Sequence, residues 1–446
     1  MSTPAPTFNK LAEALNIPTL ATALPQIAML GIECLDNACA KRGGPACAWD
    51  SSQIPLPEPA EEEQPHPCVL IDVGGTQTKV GFQNGDGELR SLFDHPNTWF
   101  KREAAAGDAP LEGFLATLIA EIQRALPGVE QGCRLGLIWS NQVLCVPIET
   151  PHTRGVSGIV QGTKSGGYRK GEWFLQGVRD GDDVGALFLR ALGKVGWRPS
   201  VFLLGNDTVF TLFAISHSTA GVVMSSGGNC TAIGEAGGEK GHIINTELGG
   251  HLKIPGSLLS DGDRFFAESR GVSSLSLEEL AAGTWFPGLV YAHVCAAAQI
   301  PEGEGLVPLR DALVSGEVSL NNRMLVASLC EASPDRVPTA ILDAGSLFTE
   351  LLTALVLRGG SLAGVLCYLS VASQLANPIR PVVVALDSSM SRHFPGFYDA
   401  ATSAFRLLCA GKAAEVHLVR PLETRGGSDI SVPMQGMARA LNTFCP

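Results

Sequence analysis

Two glycine-rich turns and one aspartate carry the chemistry that this sequence offers. Asp207 follows the buried run at 200–204 and the pair Gly205-Asn206, and it opens a helical stretch at 208–218. In open α/β sheets, groups that act on ligands stand at this place, just beyond the carboxyl end of a strand. Asparagine or aspartate at such a place also accepts the free N–H groups of the first helical turn, so Asn206 and Asp207 have a capping role open to them too. The first glycine turn lies in Asp72-Val-Gly-Gly-Thr-Gln-Thr-Lys79, whose backbone N–H groups and Thr76 hydroxyl can face a phosphate. The second is Ser225-Ser-Gly-Gly228. Phosphoryl transfer needs these parts: a carboxylate that orients and deprotonates a hydroxyl, donors for phosphates, and a bridging Mg²⁺. Asp207 is the candidate base and the turns are candidate phosphate cradles. Asp72 is the candidate metal residue, acting through water.

The elements around these residues define the fold class. Residues 68–71 read as a buried strand, and the first glycine turn leads into further strands at 79–82 and 88–93 rather than into a helix. A dinucleotide-binding or Walker loop would open a helix there, so both are disfavoured. The same strand, glycine turn, strand design recurs at 221–235, as expected of a duplicated core whose halves each offer a turn to one phosphorylated ligand. Between the two hairpins, helical patterns at 111–126 and 184–195 alternate with strands at 134–140 and 200–204, which indicates α/β architecture. After residue 255 helices dominate, at 275–282, 346–357 and 362–375, before a strand at 382–386. Residues 1–66 read as a helical arm, with patterns at 8–15 and 21–34, followed by a Pro- and Glu-rich linker or surface arm at 50–67.

Composition narrows the function classes. The chain has 446 residues, 45% hydrophobic and 17% charged, enough to bury the cores of two or three domains. A net charge of −12 without a basic block argues against nucleic acid or an anionic membrane as partner and leaves small molecules as the expected ligands. Twelve cysteines without CxxC or zinc spacing read as reduced cytosolic thiols. Charge-poor stretches at 208–234 and 359–379 are broken by polar residues, Gly or Pro, so neither reads as a membrane span, and no secretory signal is evident. A cytoplasmic protein is expected.

Polar segments able to hold sugar hydroxyls are Ser140-Asn-Gln142, Thr163-Lys164, Asn206-Asp207, Asn229 and Asn245-Thr-Glu247. Their order gives them meaning. Leu70-Ile-Asp-Val-Gly-Gly-Thr-Gln-Thr-Lys-Val80, Gly162-Thr-Lys-Ser-Gly166, Asn206-Asp-Thr-Val-Phe-Thr-Leu212, Ile244-Asn-Thr-Glu-Leu-Gly249, Val383-Val-Ala-Leu-Asp-Ser-Ser389 and Arg425-Gly-Gly-Ser428 resemble, in sequence, the signature segments of the hexokinase family. The resemblance runs from about residue 67 to 442. It implies a two-domain actin-like fold, a duplicated ribonuclease H-like architecture that closes an interdomain cleft on sugar. The implied division is a small domain at 67–206 and a large domain at 207–446, with the last helix returning to the small domain. It implies that Asp207 is the catalytic base and that Ser140, Thr163, Lys164, Asn206, Asp207, Asn229 and Glu247 contact a hexose. For ATP it implies Gly74, Gly75 and Thr76 at the first phosphate segment, with Lys79 where the family usually has arginine. Ser226 and Gly227 then serve the second phosphate segment, Asp387, Ser389, Gly427 and Ser428 the adenosine, and Asp72 the Mg²⁺.

The implied activity is phosphorylation of glucose or a related hexose at its primary hydroxyl, the first step of glycolysis. This chain departs from the family's pattern at several positions. Gly288 stands where a sugar-binding glutamate is usual, Ser225-Ser226 replaces Gly-Thr, Ser388 replaces glycine, and 430–433 read Ile-Ser-Val-Pro in place of small residues. These changes keep two alternatives in view: a catalytically weak sugar sensor on the same fold, and a kinase of another small sugar such as an amino sugar.

Overall fold

The computed structural model describes residues 10–41, 50–52, 65–75, 77–103, 110–129, 132–140, 143–160, 168–170, 173–175, 178–215, 219–224, 228–234, 242–330, 337–372, 374–375, 381–412, 415–421 and 430–443. The chain forms two compact units, each assembled from separate chain segments.

One unit comprises Ala48–Gly221, Thr231–Thr246 and Pro421–Pro446. Its seven-stranded sheet contains β2 (Cys68–Val73), β3 (Gln77–Gln83), β4 (Leu89–Pro96), β5 (Arg134–Trp139), β6 (Val143–Glu149), β7 (Arg154–Val160) and β10 (Val201–Gly205), in the order β4-β3-β2-β5-β10-β7-β6. β2, β5, β10 and β7 run parallel, while the hairpins β2–β3–β4 and β6–β7 are antiparallel. Every residue of β5 and β10 is buried. Helices cover both faces of such central parallel strands, which is why their sequences are continuous apolar runs. The helices here are α4 (Asn97–Glu103), α5 (Pro110–Ala125), α6 (Val184–Lys194), α7 (Asp207–Phe213) and α17 (Val432–Thr443).

α17 packs on α7, β2 and β5. Two glycines permit this: a Cβ on Gly436 would overlap the Phe210 carbonyl, and one on Gly136 would overlap the Met437 side chain. Thr208–Phe213 is buried, and α7 lies in this unit. The two-stranded ribbon β8 (Tyr168–Lys170) and β9 (Trp173–Leu175) belongs here too. So does β1 (Asp50–Ser52), antiparallel to β13 (His242–Asn245), which also pairs with Thr231–Gly234 of β12 (Gly228–Gly234). β1 opens the stretch expected to be a linker. Its three polar residues give no alternating pattern, and only their partner strand makes them a strand.

The other unit comprises Met1–Cys47, Val222–Cys230 and Glu247–Arg420. β16 (Val382–Asp387) lies between β11 (Ala220–Met224) and its parallel neighbour β17 (Val416–Val419). Around them are α8 (Leu248–His251), α9 (Asp261–Ser269), α10 (Leu277–Ala281), α11 (Phe286–Ala297), α12 (Val307–Ser315), α13 (Asn322–Cys330), α15 (Ser389–His393) and the short pair β14 (Lys253–Ile254) and β15 (Leu275–Ser276). The central helix is α14 (Thr339–Val371), on which α1 (Lys10–Ala14), α2 (Ile17–Thr22), α3 (Leu24–Lys41) and α16 (Phe397–Cys409) pack. The sequence pattern gave two helices here, separated near Gly359-Gly360. They are one, kinked only at Gly345 (φ 56°). Gly360 and Gly364 instead permit close approach of α16, since a Cβ on either would overlap the carbonyls of Phe397 and Ala401 respectively. α14 is long and apolar enough to cross a membrane by length and composition, yet residues 358–371 are buried within this unit.

A fully buried polar cluster ties α9, α11 and α14 together. Arg358 donates to both carboxylate oxygens of Asp263, at 2.8 and 2.9 Å, and Ser260 Oγ lies 2.9 Å from His293 Nε2. Ser260 and Asp263 form a reciprocal capping box at the start of α9. Burial raises the Asp263 pKa, but the neighbouring Arg358 charge and its hydrogen bonds outweigh it and hold the carboxyl below its ordinary range.

Candidate active site

In the unit built on the seven-stranded sheet, three neighbouring parallel strands end at one level. Asp72 and Gly205 both pair with Ile138 in register. The next residues are therefore Val73, which ends β2, and Gly74; Trp139, which ends β5, and Ser140; and Asn206 and Asp207 after β10. Ser140 N–H donates to the Val73 carbonyl at 3.4 Å, joining two of these ends. Asp72, Gly74, Gly75, Ser140, Asn206 and Asp207, separated widely in sequence, share one sheet edge.

Local forces set each group. Asn206 has an extended backbone and caps α7, its Oδ1 accepting from Thr208 N–H at 2.9 Å and from Thr208 Oγ1 at 2.7 Å. The capping role open to both residues thus falls to Asn206. Asp207 is the first residue of the helix, half-buried, with Oδ1 2.9 Å from Thr208 N. Asn206 is fully buried and Ser140 nearly so. The first glycine turn closes through Gly74 N–H to the Gln77 carbonyl at 2.9 Å, and a Cβ on Gly74 would stand 3.0 Å from that oxygen, so the tight turn favours glycine. Asp72 lies directly across from Lys79 in the β2–β3 ladder and accepts a hydrogen bond from Ser431 Oγ at 2.7 Å.

Among the described residues no group of three or more His, Cys, Asp or Glu is placed to hold a metal. A single carboxylate beside a phosphate turn still fits Mg²⁺, which keeps several waters and takes its other ligands from substrate phosphates. Asp72 is so placed. Thr76, Thr163, Lys164, Ser226, Gly227, Gly427 and Ser428 lie outside the described residues, and Asn229 is described only as part of β12.

The second unit holds the remaining candidates. Glu247 has φ 48° and is one of two described non-glycine residues with positive φ, a conformation that costs of order 1–3 kcal/mol and gathers at functional positions. Asp387, at the end of β16, is buried and ion-paired with Arg392 at 2.6 Å. Ser388, which replaces glycine, donates to the Met224 carbonyl at 3.1 Å and caps α15. Ser389 lines a cleft of about 870 Å³ with Asn321, Asn322, Arg323, His393 and Phe394. At Gly288 a Cβ would lie 3.1 Å from the Phe266 ring, so this ring stands against the place of the usual glutamate.

Sequence reasoning missed Ser431, which meets Asp72 across 359 residues, and Asn97, whose amide reaches Gly74. Asn97 is part of no local motif, and Ser431 lies in the stretch 430–433 that stood out only for its departure from the family's pattern.

No protein-family model and no curated protein matches the sequence. Solved structures do. A hexokinase from Schistosoma mansoni complexed with glucose aligns with a TM-score of 0.65 at 17% identity, covering 97% of this chain and 98% of that one. A second hexokinase crystal structure aligns with a TM-score of 0.65 at 18% identity and the same coverage. At these identities the likeness is one of fold, and it agrees with the order of signature segments read from the sequence: the chain has the hexokinase fold.

Proposed function

We propose that this protein is an ATP-dependent hexose kinase that phosphorylates the primary hydroxyl of glucose or a related hexose. One observation carries the reading: in a chain of hexokinase fold, Asp72, Ser140, Asn206 and Asp207 gather at the carboxyl ends of three adjacent parallel strands. β2 and β10 are separated by β5, which sets Asp72 and Asp207 on the order of 10 Å apart. That span takes a hydroxymethyl group and the phosphoryl group it attacks.

Asp207 accepts the proton of the sugar hydroxyl as the new P–O bond forms. Ser140 and Asn206, with Thr163, Lys164, Asn229 and Glu247, hold the other hydroxyls. Gly74, Gly75 and Thr76, aided by Lys79, and Ser226 with Gly227 donate to the phosphates. Asp387, Ser389, Gly427 and Ser428 serve the adenosine, and the cleft beside Ser389 is wide enough for a nucleoside. Asp72 would hold Mg²⁺ through water, and the bound ion would supply neutralisation of charge on the phosphates. The glucose in the Schistosoma mansoni complex supports a hexose as the acceptor. On this reading the enzyme acts at the first step of glycolysis, in the cytoplasm. One observation favours a second reading, a sugar sensor with little turnover: Phe266 stands against Gly288, where the usual glutamate would add a sugar contact.

The test is ATP-dependent formation of hexose 6-phosphate over glucose, mannose, fructose and glucosamine. Asp207→Ala is expected to keep sugar binding and to lose roughly a hundredfold or more in rate. Sugar binding without turnover in the unaltered protein would favour the sensor, and turnover of glucosamine alone would name an amino-sugar kinase.

A further inference from the structure

Behind the first glycine turn lies a buried polar clamp. Asn97, the first residue of α4, is 2% exposed, and Thr78 on β3 is fully buried. Thr78 Oγ1 donates to Asn97 Oδ1 at 2.8 Å, and Asn97 Nδ2 donates to the Gly74 carbonyl at 2.9 Å. A carbonyl oxygen can only accept, so the side of the amide that faces Gly74 is the NH₂, and its orientation follows from chemistry.

The clamp acts on one peptide plane. The described peptide bonds are trans. In a trans peptide the C=O of Gly74 and the N–H of Gly75 point in opposite directions. Drawing the Gly74 carbonyl toward Asn97 therefore turns the Gly75 N–H away from the clamp. The Gly74 N–H is already used inside the turn, on the Gln77 carbonyl. α4 is anchored independently of any ligand: Trp99 stacks on His95 at 4.1 Å, and Phe100 meets Trp99 at 4.9 Å and Phe114 at 5.0 Å, edge to face. A buried amide costs free energy unless its polar atoms are paired, and Asn97 pairs both with the turn and its flanking strand.

We infer that Asn97 is a positioning residue for phosphate binding: with Thr78 it holds the Gly74–Gly75 peptide so that the Gly75 N–H is presented to the nucleotide's phosphates. The inference rests on the kinase reading above. It predicts an effect confined to ligands that carry those phosphates.

Two substitutions test it. Asn97→Asp keeps the volume but sets an acceptor against the Gly74 carbonyl. Thr78→Val keeps the shape of Thr78 and removes the donor that orients the amide, while Thr78→Ser keeps that donor. Calorimetric dissociation constants for ATP, adenosine and glucose are measured, with kcat and the KM for ATP. Asn97→Asp and Thr78→Val are expected to weaken ATP at least about tenfold and to raise its KM more than they lower kcat, leaving adenosine and glucose within about twofold. Thr78→Ser is expected to restore ATP binding. If Asn97→Asp does not fold, Thr78→Val decides. Unchanged ATP affinity in folded Thr78→Val overturns the inference, as does parallel weakening of all three ligands, which marks a merely structural clamp. An unaltered protein that neither binds ATP nor phosphorylates a hexose overturns the kinase reading and this inference together. A normally active protein with unaffected variants removes the inference alone.

Discussion

His293 makes acid sensitivity a measurable property of this fold. The imidazole is fully buried; Nδ1 faces the Leu289 carbonyl at 2.8 Å and Nε2 faces Ser260 Oγ at 2.9 Å. The carbonyl can only accept, so Nδ1 carries the proton and Nε2 accepts from the serine hydroxyl. Burial, helped by the Arg358 charge and opposed by Asp263, the Leu289 carbonyl and Asp261, pulls the pKa from the ordinary 6.5 down to about 4. Between these values the unfolded chain binds more protons than the native one, so stability is full above the ordinary pKa and falls as pH drops toward the native value. Going from about pH 7 to about pH 5, one such histidine removes about 2 kcal/mol. Asp263 does not contribute there, because a carboxyl held below its ordinary range loses its stabilisation only in stronger acid. For a unit of this size, 2 kcal/mol corresponds to a melting shift of about 4–8 °C.

The assay is thermal unfolding of the unaltered protein and of His293→Gln at several pH values across that range. His66 and His251, whose pKa values burial also lowers, titrate in both proteins and cancel in the comparison. The unaltered protein should lose about 4–8 °C more than the variant between the two ends of the range. Equal slopes would refute the reasoning, because they would mean that the imidazole is not held neutral by the fold.

Gly436→Ala should destabilise by about 1–3 kcal/mol in urea unfolding, because its Cβ meets the Phe210 carbonyl; a gain from alanine's better helix propensity would contradict the packing described. Ser431→Ala should weaken binding of Mn²⁺-ADP, followed by electron paramagnetic resonance, by roughly three- to tenfold while sparing glucose, because Asp72 loses the donor at 2.7 Å.

The parts of this structure that were legible in the sequence are those carried by neighbouring residues. The buried strand at β2, the glycine turn and β3 follow from apolar runs and two adjacent glycines, and the strand end at Asp207 from a run that stops at Gly205-Asn206. The order of such segments was enough to anticipate the fold. What depended on distant partners was hidden. β1 exists because β13 pairs with it, and Gly359-Gly360 read as a break because α16, whose close approach Gly360 permits, lies further along the chain. The site behaved alike: Asn206 and Asp207 were both visible, but only the backbone geometry assigned the cap to Asn206. Asn97 and Ser431 act on Gly74 and Asp72 from outside the motif that holds those two residues, so no periodicity or spacing could single them out.

The packing of α17 against α7, β2 and β5 also constrains the order in which the chain can mature during synthesis. Strands β2 to β10 and α7 leave the ribosome early, yet the helix that covers them is made roughly 200 residues later, a delay of some ten seconds or more at ordinary elongation rates of about 5–20 residues per second. Through that interval the nascent sheet presents an uncovered apolar face, and the helix bearing Asp207 lacks its partner. The proposed catalytic edge therefore reaches its final form only after α17 is made, and a ribosome that stalls within the last twenty or so codons before α17 is complete would leave a chain without it.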